Sequence, residues 1–441
     1  MSSDKRSNKL LIHLDEKKIA CLKWEEMSIS DVCDSIVDCV NKTAPTVDYA
    51  TQYKMIRTTN VKNGNIDLES VKYVSEDVYK VWTRRSTPQI GDVILTREAP
   101  IGEVGIVKTE DKIFLGQRLI QFRANPKMLN SRFLLYSMKS PFMQRQIQLY
   151  EGTGSTVSHI RVPDCLKFKI RVPDSSIQNK IANILGSIDD KIELNNRMNK
   201  VLEQMAQAIF KQWFVDFEFP NENGETYKSS GSVMEWCEEL GKEIPKGWTI
   251  KYLKELVAIN ERSITKSYSF ESIKYVDISS VDNGKLQRLE SIPLESAPSR
   301  AKRLTRHGDV LWSTVRPNRK SYLYIHNPDP NMVVSTGFVV LTSKLIPSSF
   351  LYCSVTTDEF VQHLTNNAEG SAYPAVRPET FGRFEMLVPS TDVLERFDDI
   401  VSVIRKRIAN NEQESNVLSE LRDTLLPKLM SGEIDVSQVE L

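Results

Sequence analysis

The chain has 441 residues and a mass of 50.4 kDa, enough for two or three domains. Hydrophobic residues make up 40% and charged residues 26%, which excludes wholesale disorder, and no apolar run reaches the roughly 20 residues that cross a bilayer. The charged start lacks the apolar core of a signal peptide, and six scattered cysteines without a CxxC pair indicate free thiols in a reducing compartment. We therefore expect a soluble cytoplasmic protein.

The zero net charge conceals an uneven distribution of charge along the chain. Lysine plus arginine and aspartate plus glutamate both number 58, which argues against a strong non-specific nucleic-acid binder. Residues 111–180, however, hold 12 basic and 4 acidic side chains, residues 181–240 hold 5 and 11, and residues 300–320 hold 7 and one. Two basic islands separated by an acidic stretch indicate two anion-facing surfaces, with chance clustering as the alternative.

The first half of the chain recurs in the second half in the same order. The matched segments are MIRTTNVKNGNI and YVDISSVDNGKL (from Met55 and Tyr275), IGDVIL and HGDVLW (from Ile90 and His307), FLLYSMKSPFMQ and FLYCSVTTDEFVQ (from Phe133 and Phe350), and EGTGS and AEGSA (from Glu151 and Ala368). The stretches that begin at Pro173 and Pro389 align without a gap at an offset of 216. This ordered agreement predicts a tandem repeat.

Each half begins with strand-length apolar runs and ends with a helix. The runs include 93–96, 104–107 and 333–341, and the Asn-Gly pairs at 63–64 and 283–284 predict hairpin turns with positive φ at both central residues. Pro173 and Pro389 close the two modules, as proline does just before a helix.

The two predicted helices carry apolar residues at heptad spacing, interrupted by polar residues near the middle. The predicted seam consists of Ile181, Leu185, Ile188, Ile192, Leu202, Ile209, Phe397, Val401, Ile404, Ile408, Leu418 and Leu425. The pattern alone allows parallel or antiparallel pairing, and two-fold closure of a tandem repeat favours the antiparallel pair. The alternative is two ordinary amphipathic helices, each packed on its own module.

These observations predict an α+β protein with two globular modules in tandem pseudo-repeat and two long helices that form an antiparallel coiled coil. The expected boundaries are 1–174 for the first module, 175–217 for the central helix, 218–389 for the second module, and 390–441 for the distal helix and tail. Residues 1–20 match nothing in the repeat and are expected to be an added tail.

The sequence offers no enzyme site. It has no phosphate-binding loop, no GxGxxG after a strand and no HExxH, so we predict no catalytic residues and no metal site. Pro173-Asp174 could begin a nuclease motif, but the equivalent Pro389 precedes Ser390, and a turn explains both copies.

Two similar but non-identical modules suit recognition of a split, asymmetric DNA target, because arginine can bind guanine bidentately and lysine more often contacts phosphates. For any single side chain, a solvated surface charge is the alternative. The candidate DNA-binding residues are Arg84, Arg85, Arg97, Gln117, Arg118 and Arg123 in the first module, and Arg300, Lys302, Arg303, Ser313, Thr314, Arg316, Arg319 and Lys320 in the second.

Several segments resemble the specificity (S) subunit of type I restriction–modification systems. KIANILGSIDDKIELNNRMNKVLEQMAQAIFKQWFVDFEFP is similar to the central helical region of that family, and LRDTLLPKLMSGEI is similar to its distal counterpart. STVRPNRK, STGFVVL and EGSAYPAV resemble second-module signatures, and IGDVILTREAPIGEVGIV resembles the first-module equivalent. The similarity covers nearly the whole chain.

The resemblance implies a non-catalytic subunit in which two target-recognition domains read a bipartite sequence of double-stranded DNA. The helices would set the unread spacer and dock two methyltransferase subunits. Trp213, Phe214 and Phe217 are candidate contacts to those subunits, and the alternative is that they belong to the local core. Restriction–translocation subunits would join that complex, and S-adenosylmethionine, ATP and magnesium would be bound by the partners rather than by this chain. The alternatives are a stand-alone DNA-binding regulator or adaptor, and a nuclease.

Overall fold

The computed structural model describes residues 24–149 and 159–440. They form two compact units, one comprising the described residues up to 193 together with 415–440, and the other comprising residues 194–414. The expected tail at 1–20 and the repeat segment that begins at Glu151 lie outside the described residues.

Two long helices alternate with short ones along the chain. The α-helices of the described residues are α1 Ile29–Val32, α2 Glu76–Trp82, α3 Ser131–Lys139, α4 Pro141–Leu149, α5 Val162–Cys165, α6 Ser175–Phe210, α7 Leu253–Leu256, α8 Ser348–Val355, α9 Asp358–Asn366, α10 Pro378–Gly382 and α11 Thr391–Ser431. Helix α6 continues into a π-helical turn, Lys211–Val215. Both α6 and α11 begin two residues after the prolines that the sequence predicts as module ends.

Local hydrogen bonds explain where the long helices begin and end. Asp174 caps α6, because its side-chain oxygen accepts from the backbone N–H of Ile177 at 3.0 Å. Helix α11 ends at Ser431, and Gly432, which follows it, adopts a φ of 77° and donates its N–H to the Leu429 carbonyl at 3.2 Å.

The first unit is built on a four-stranded sheet in the order β2-β10-β7-β8 and a three-stranded sheet in the order β6-β3-β9, in which β3 and β9 are parallel. Two further antiparallel pairs are β1-β11 and β4-β5. The strands are β1 Glu25–Ser28, β2 Cys33–Asp38, β3 Tyr53–Ile56, β4 Val61–Lys62, β5 Asn65–Ile66, β6 Lys72–Tyr73, β7 Val93–Arg97, β8 Ile101–Ile106, β9 Lys112–Leu115, β10 Leu119–Ala124 and β11 Lys169–Val172.

The second unit repeats this topology. Its four-stranded sheet has the order β15-β24-β21-β22, a second sheet has the order β19-β16-β23-β20, with β16 and β23 parallel, and the antiparallel pairs are β14-β25 and β17-β18. A further hairpin, β12-β13, precedes them. The strands are β12 Met234–Cys237, β13 Lys242–Pro245, β14 Thr249–Tyr252, β15 Val257–Ile259, β16 Ser272–Val276, β17 Val281–Asp282, β18 Lys285–Leu286, β19 Glu290–Pro293, β20 Ala301–Leu304, β21 Val310–Ser313, β22 Tyr322–Tyr324, β23 Met332–Ser335, β24 Phe338–Ser343 and β25 Glu385–Val388.

The predicted fold class, with its tandem repeat of α+β modules, is therefore confirmed. Both Asn-Gly turns have positive φ at both residues, 54° and 88° in the first copy and 41° and 82° in the second. They join β4 to β5 and β17 to β18, the hairpins that this dipeptide predicts.

The apolar run 333–341 forms two strands in different sheets instead of the single predicted strand. Strand β23 ends at Ser335, and β24 begins at Phe338. Gly337 lies between them, and the Ile278 side chain packs so close to its backbone that a Cβ atom there would lie 2.6 Å from Cδ1 of Ile278. Periodicity alone does not reveal this close approach.

The helix ends contribute to the core of each unit. In the first unit, Ile181 and Leu185 of α6 pack in the same buried cluster as Phe133 of α3. In the second, Phe397 and Val401 of α11 join the corresponding cluster. Among the described residues, no helix has both the length and the apolar character needed to span a bilayer.

Candidate nucleic-acid interface

In the first unit, the end of β7 meets two other segments in a group that we call the first loop cluster (residues 97–99, 117–118 and 159–160). The backbone N–H of Arg97 donates to the Arg118 carbonyl at 2.8 Å, and the Ile160 N–H donates to the Arg97 carbonyl at 2.9 Å. The Arg97 guanidinium also donates to the Ile160 carbonyl at 2.9 Å, while Arg118 forms an ion pair with Glu98 at 3.2 Å. Two predicted arginines thus lie side by side.

The second unit builds the same arrangement at the end of β21, the second loop cluster (residues 314–320, 336–337 and 369–376). The N–H of Thr314 donates to the Gly337 carbonyl at 2.9 Å, and the N–H of Val376 donates to the Thr314 carbonyl at 2.8 Å. These bonds correspond one for one to those of Arg97 in the first loop cluster. The repeat therefore places three chain segments together in the same way in both units.

Arg316 lies at the centre of the second loop cluster. Its backbone is left-handed, with a φ of 51°, and its N–H donates to the Pro374 carbonyl at 2.7 Å. One guanidinium nitrogen donates to the Ala372 carbonyl at 3.1 Å, and the guanidinium carbon lies 4.3 Å from the ring centre of Tyr373. The Tyr373 side chain itself is exposed.

Tyr373 is a candidate functional residue that the sequence analysis did not single out. It lies in the quoted segment EGSAYPAV, where an aromatic ring among small loop residues was the available signal. Its partner Arg316 is distant in sequence, so only the fold reveals the pair.

Some predicted cations are held by carboxylates within their own unit. Arg85 pairs with Asp38 at 2.5 Å and Lys320 pairs with Asp358 at 2.7 Å. Arg123 makes two hydrogen bonds of 2.8 Å to the buried carboxylate of Asp92, and these bonds raise the pKa of Arg123. Arg123 therefore fixes the start of β7, at the end opposite to the first loop cluster.

Other predicted residues differ in accessibility. Ser313 is fully buried, and its hydroxyl donates to the Val315 carbonyl at 2.9 Å, so this side chain serves the turn and does not face solvent. The hydroxyl of Thr314 donates to the Gly337 carbonyl at 2.9 Å. Gln117 accepts a hydrogen bond from Thr43 at 3.2 Å, and Arg303 is half-buried beside Ser263.

The remaining predicted cations are exposed and form no ion pair within residues 24–149 and 159–440. Arg300 adjoins the second loop cluster, because its carbonyl accepts from the Thr336 N–H at 2.8 Å. Arg319 lies three residues beyond Arg316, Lys302 lies on β20, and Arg84 follows α2.

The long helices pair in antiparallel fashion within each unit. In the second unit, Asn195 donates to Glu414 at 2.9 Å and Asn411 donates to the amide oxygen of Asn199 at 2.7 Å. In the first unit, Asp189 accepts from Arg422 at 2.9 Å. The predicted meeting of the polar helix centres is therefore confirmed, and the packing of the helix ends in the module cores accompanies it.

Two charged groups lie between these helices and the modules. In the first unit, the hydroxyl of Tyr136 donates to Asp189 at 2.8 Å. In the second, the buried Arg405 pairs with Glu203, and its guanidinium carbon lies 4.0 Å from the ring centre of Tyr352. Each group ties a helix to its own module.

All predicted seam residues are buried or half-buried. The buried ones are Ile181, Leu185, Ile188, Phe397, Val401 and Ile404, and the half-buried ones are Ile192, Leu202, Ile209, Ile408, Leu418 and Leu425.

A second apolar stripe on the helices faces solvent in the second unit. Its residues are 42–65% exposed; they are Leu194, Val201, Met205, Ile400 and Val403. Each lies one position before a heptad position of its helix, whether that position holds a seam residue or, as at Asn195 and Ala206, a residue outside the seam list. Arg407 donates to the Met198 sulfur at 3.9 Å, and both positions have this offset, so the stripes of α6 and α11 lie on the same flank.

Trp213, Phe214 and Phe217 are buried in the core of the second unit. The Phe214 ring centre is 4.9 Å from that of Phe397, and the Phe217 ring centre is 5.6 Å from that of Trp248. Of the two roles considered for these aromatics, the structure supports local core and not partner contact.

No group of three or more His, Cys, Asp or Glu side chains in the described part of the chain is arranged to hold a metal ion.

Comparisons with known proteins agree with this architecture. A family model described as the type I restriction modification DNA specificity domain matches residues 22–204. The MjaIX specificity subunit of a type I restriction enzyme from Methanocaldococcus jannaschii is 27% identical over 373 residues, which cover 83% of this chain and 82% of the relative. The HindI specificity subunit from Haemophilus influenzae is 26% identical, with 93% and 99% covered.

The fold is also similar to a crystal structure of the type I restriction–modification S subunit from M. genitalium. The TM-score is 0.56 at 16% identity, and the match covers 93% of this chain and 97% of the other.

Proposed function

This chain belongs to the family of type I restriction–modification specificity subunits, and we propose that each of its modules reads one half of a split DNA target. It is a non-catalytic recognition subunit that directs partner subunits to the sequence that it reads. The stand-alone regulator is not favoured, because the relatives that match most of the chain carry the name of specificity subunits.

The observation that carries this proposal is a repeated site with different side chains. Corresponding hydrogen bonds position Arg118 in the first loop cluster and Gly337 in the second. Two residues after Arg97 and after Thr314, a residue with positive φ precedes a proline; this residue is Ala99 in the first cluster and Arg316 in the second. A shared scaffold with different donors and acceptors suits two half-sites of different sequence, because base edges are distinguished by their pattern of donors and acceptors.

Four of the predicted cations suit contacts to the phosphates. Arg84, Arg300, Lys302 and Arg319 are exposed and form no ion pair in the described parts of the chain, so their charge is available to a polyanion. The chain as a whole has no net charge, so we expect it to bind DNA weakly without its partners.

The exposed apolar stripe of α6 and α11 is the proposed docking surface for a methyltransferase subunit. Isolated apolar side chains are common on surfaces, but five exposed apolar side chains on one flank of two paired helices suit a helical partner. We propose that two such subunits bind the complex and that the helices set the unread spacer between the half-sites.

The proposed assembly places the chemistry on the partners. The methyltransferase subunits would use S-adenosylmethionine to methylate adenine, and restriction–translocation subunits would use ATP and magnesium, all in the cytoplasm where the DNA lies. This chain would hold none of these cofactors.

A methylation map tests the proposal directly. The chain would be expressed with the methyltransferase encoded beside it in a host that lacks adenine methylation, and modified adenines would be located by long-read sequencing. We expect a split motif with a constant spacer that disappears when this gene is omitted. An assembled complex that produces no new methylation would contradict the proposal.

A further inference from the structure

Arg316 has a backbone conformation that is unfavourable for a residue with a Cβ atom. Its φ of 51° lies in the left-handed region, and Pro317 follows it. The bond from its N–H to the Pro374 carbonyl, at 2.7 Å, fixes this conformation. The loop 369–376 therefore determines where the Arg316 side chain emerges, as expected where a strained residue has a functional role.

The Arg316 guanidinium is also held by two contacts. The ring of Tyr373 lies against it at 4.3 Å, and the Ala372 carbonyl accepts one of its hydrogens at 3.1 Å. A guanidinium has five N–H donors, so the remaining donors stay available on a planar edge. Arg316 forms no ion pair among the described residues, so no carboxylate competes for that edge.

We infer that Arg316, stacked on Tyr373, reads a guanine in the half-site of the second module. The inference rests on the proposed function. Guanine is the base that presents two adjacent acceptors, O6 and N7, in the major groove, and a flat pair of N–H groups matches them. Adenine and cytosine place a donor there, and thymine places a methyl group beside its acceptor, so none of them accepts both N–H groups.

A base contact explains the geometry better than a phosphate contact does. A phosphate contact can be made from many directions and needs no fixed side chain, whereas reading a base edge requires a fixed orientation. Stacking removes in advance the side-chain freedom that binding would otherwise cost.

The first module has no guanidinium at the position equivalent to Arg316. Ala99 occupies the position equivalent to Arg316, with a φ of 44°, and Pro100 follows it. A methyl group offers no hydrogen bond, so this backbone position cannot select guanine in the first half-site.

The methylation map provides the first test. With the wild-type complex we expect a guanine at a fixed position of one half-site. In the Arg316→Ala complex, the preference for guanine at that position should fall by about 5- to 150-fold, while the other half-site stays unchanged. Arg316→Lys keeps the charge but loses the paired donors, so it should relax the same position.

A matched control lies in the same loop region. Arg377 is an exposed cation that already pairs with Glu369 at 3.3 Å, so Arg377→Ala should leave the motif unchanged. Tyr373→Ala should weaken the guanine preference less than Arg316→Ala does, because the N–H donors of Arg316 remain but the Tyr373 ring no longer fixes the orientation of the guanidinium.

The second test alters the DNA instead of the protein. Replacing guanine with 7-deazaguanine at the assigned position removes N7, so it should weaken binding by the wild-type complex and cause no further loss with Arg316→Ala. This test applies even where Arg316→Ala lowers the yield of folded complex.

The failure of this inference is distinguishable from failure of the proposed function. A wild-type complex that gives no split motif would overturn the proposed function. A split motif that lacks guanine in both halves, that is unchanged by Arg316→Ala, or whose binding tolerates 7-deazaguanine at every guanine would overturn the assignment of Arg316 alone.

Discussion

Asn411 donates a hydrogen bond of 2.7 Å to the amide oxygen of Asn199 in the buried contact between α6 and α11. The amide of Asn199 in turn donates to the Ile408 carbonyl at 3.3 Å. Buried asparagines in a helix pair stabilise one alignment against shifted ones, because any shift leaves an amide without a partner. The pair therefore fixes the register of these two helices.

Replacing one member of this pair should destabilise the protein more than replacing both. Asn411→Leu removes the donor to Asn199 within a buried contact and should lower the free energy of unfolding by about 1–3 kcal/mol. The double variant Asn199→Leu/Asn411→Leu should recover most of that loss while relaxing register. Urea-induced unfolding measures the free energy of unfolding of the single and the double variant, and a single variant as stable as wild type would contradict the role given to this pair.

The pair of Arg405 and Glu203 should contribute more to stability than a surface ion pair does. Glu203→Gln leaves the nearly buried guanidinium without its countercharge, and since the Glu203 side chain is 31% exposed we expect a loss of about 2 kcal/mol, below the range for fully buried pairs. Glu76→Gln, which breaks the exposed pair with Lys80, is the matched control and should leave the free energy of unfolding close to that of wild type, because solvent screens an exposed pair. Equal losses in the two variants would show that burial adds nothing.

The apolar stripe can be tested without altering the fold. Val403→Glu and Met205→Glu place a charge on exposed positions, so the unfolding temperature should stay within a few degrees of wild type. Co-purification of the proposed methyltransferase subunit should fall at least tenfold, because a charge would be buried against an apolar partner. Ser402→Glu, exposed one residue around the helix, is the control, and retention of the partner by both stripe variants would exclude this docking surface.

Stability of the second unit should depend on the protonation of His326. Burial lowers the pKa of His326, and the neighbouring His307 and Lys406 lower it further. Below a pH of about 6.5 the unfolded chain therefore binds a proton more readily than the folded one, so the free energy of unfolding should decrease as the pH falls through that range. Urea midpoints at about pH 7.5 and pH 5.5 should differ less in His326→Gln than in wild type, and an unchanged difference would contradict this account.

The repeat and the helix pairing were predictable because both depend on patterns that can be read directly along the sequence. The gapless alignment carries the repeat, and the heptad spacing carries the seam. The meeting of the polar helix centres was predictable once two-fold closure favoured the antiparallel pair, whereas the specific contact of Asn199 with Asn411 was not. The accessibility of each arginine was not predictable in this way. Arg123 is held by Asp92, 31 residues away, and Arg316 is stacked on Tyr373, 57 residues away, and only the folded loops bring them together.

The burial of Ser313 and of the aromatic residues after α6 marks another limit. A hydroxyl beside an arginine-rich turn can serve a base contact or bond to the turn itself, and composition does not separate the two. Similarly, an aromatic-rich segment after a helix predicts that the rings are buried, but it does not indicate whether they pack against the rest of this chain or against a partner.

The gapless offset of 216 makes Asp189 and Arg405 equivalent residues of opposite charge. Asp189 meets Arg422, and Arg405 meets Glu203. If two copies of α6 met in the same antiparallel register, Glu203 of one would approach Asp189 of the other, and two copies of α11 would bring Arg422 towards Arg405. Two identical helices would therefore repel each other at these positions, whereas α6 and α11 attract each other. A gene rearrangement that duplicated either half would produce mismatched helices, but an exchange of the modules attached to α6 and α11 would leave the helix pairing intact.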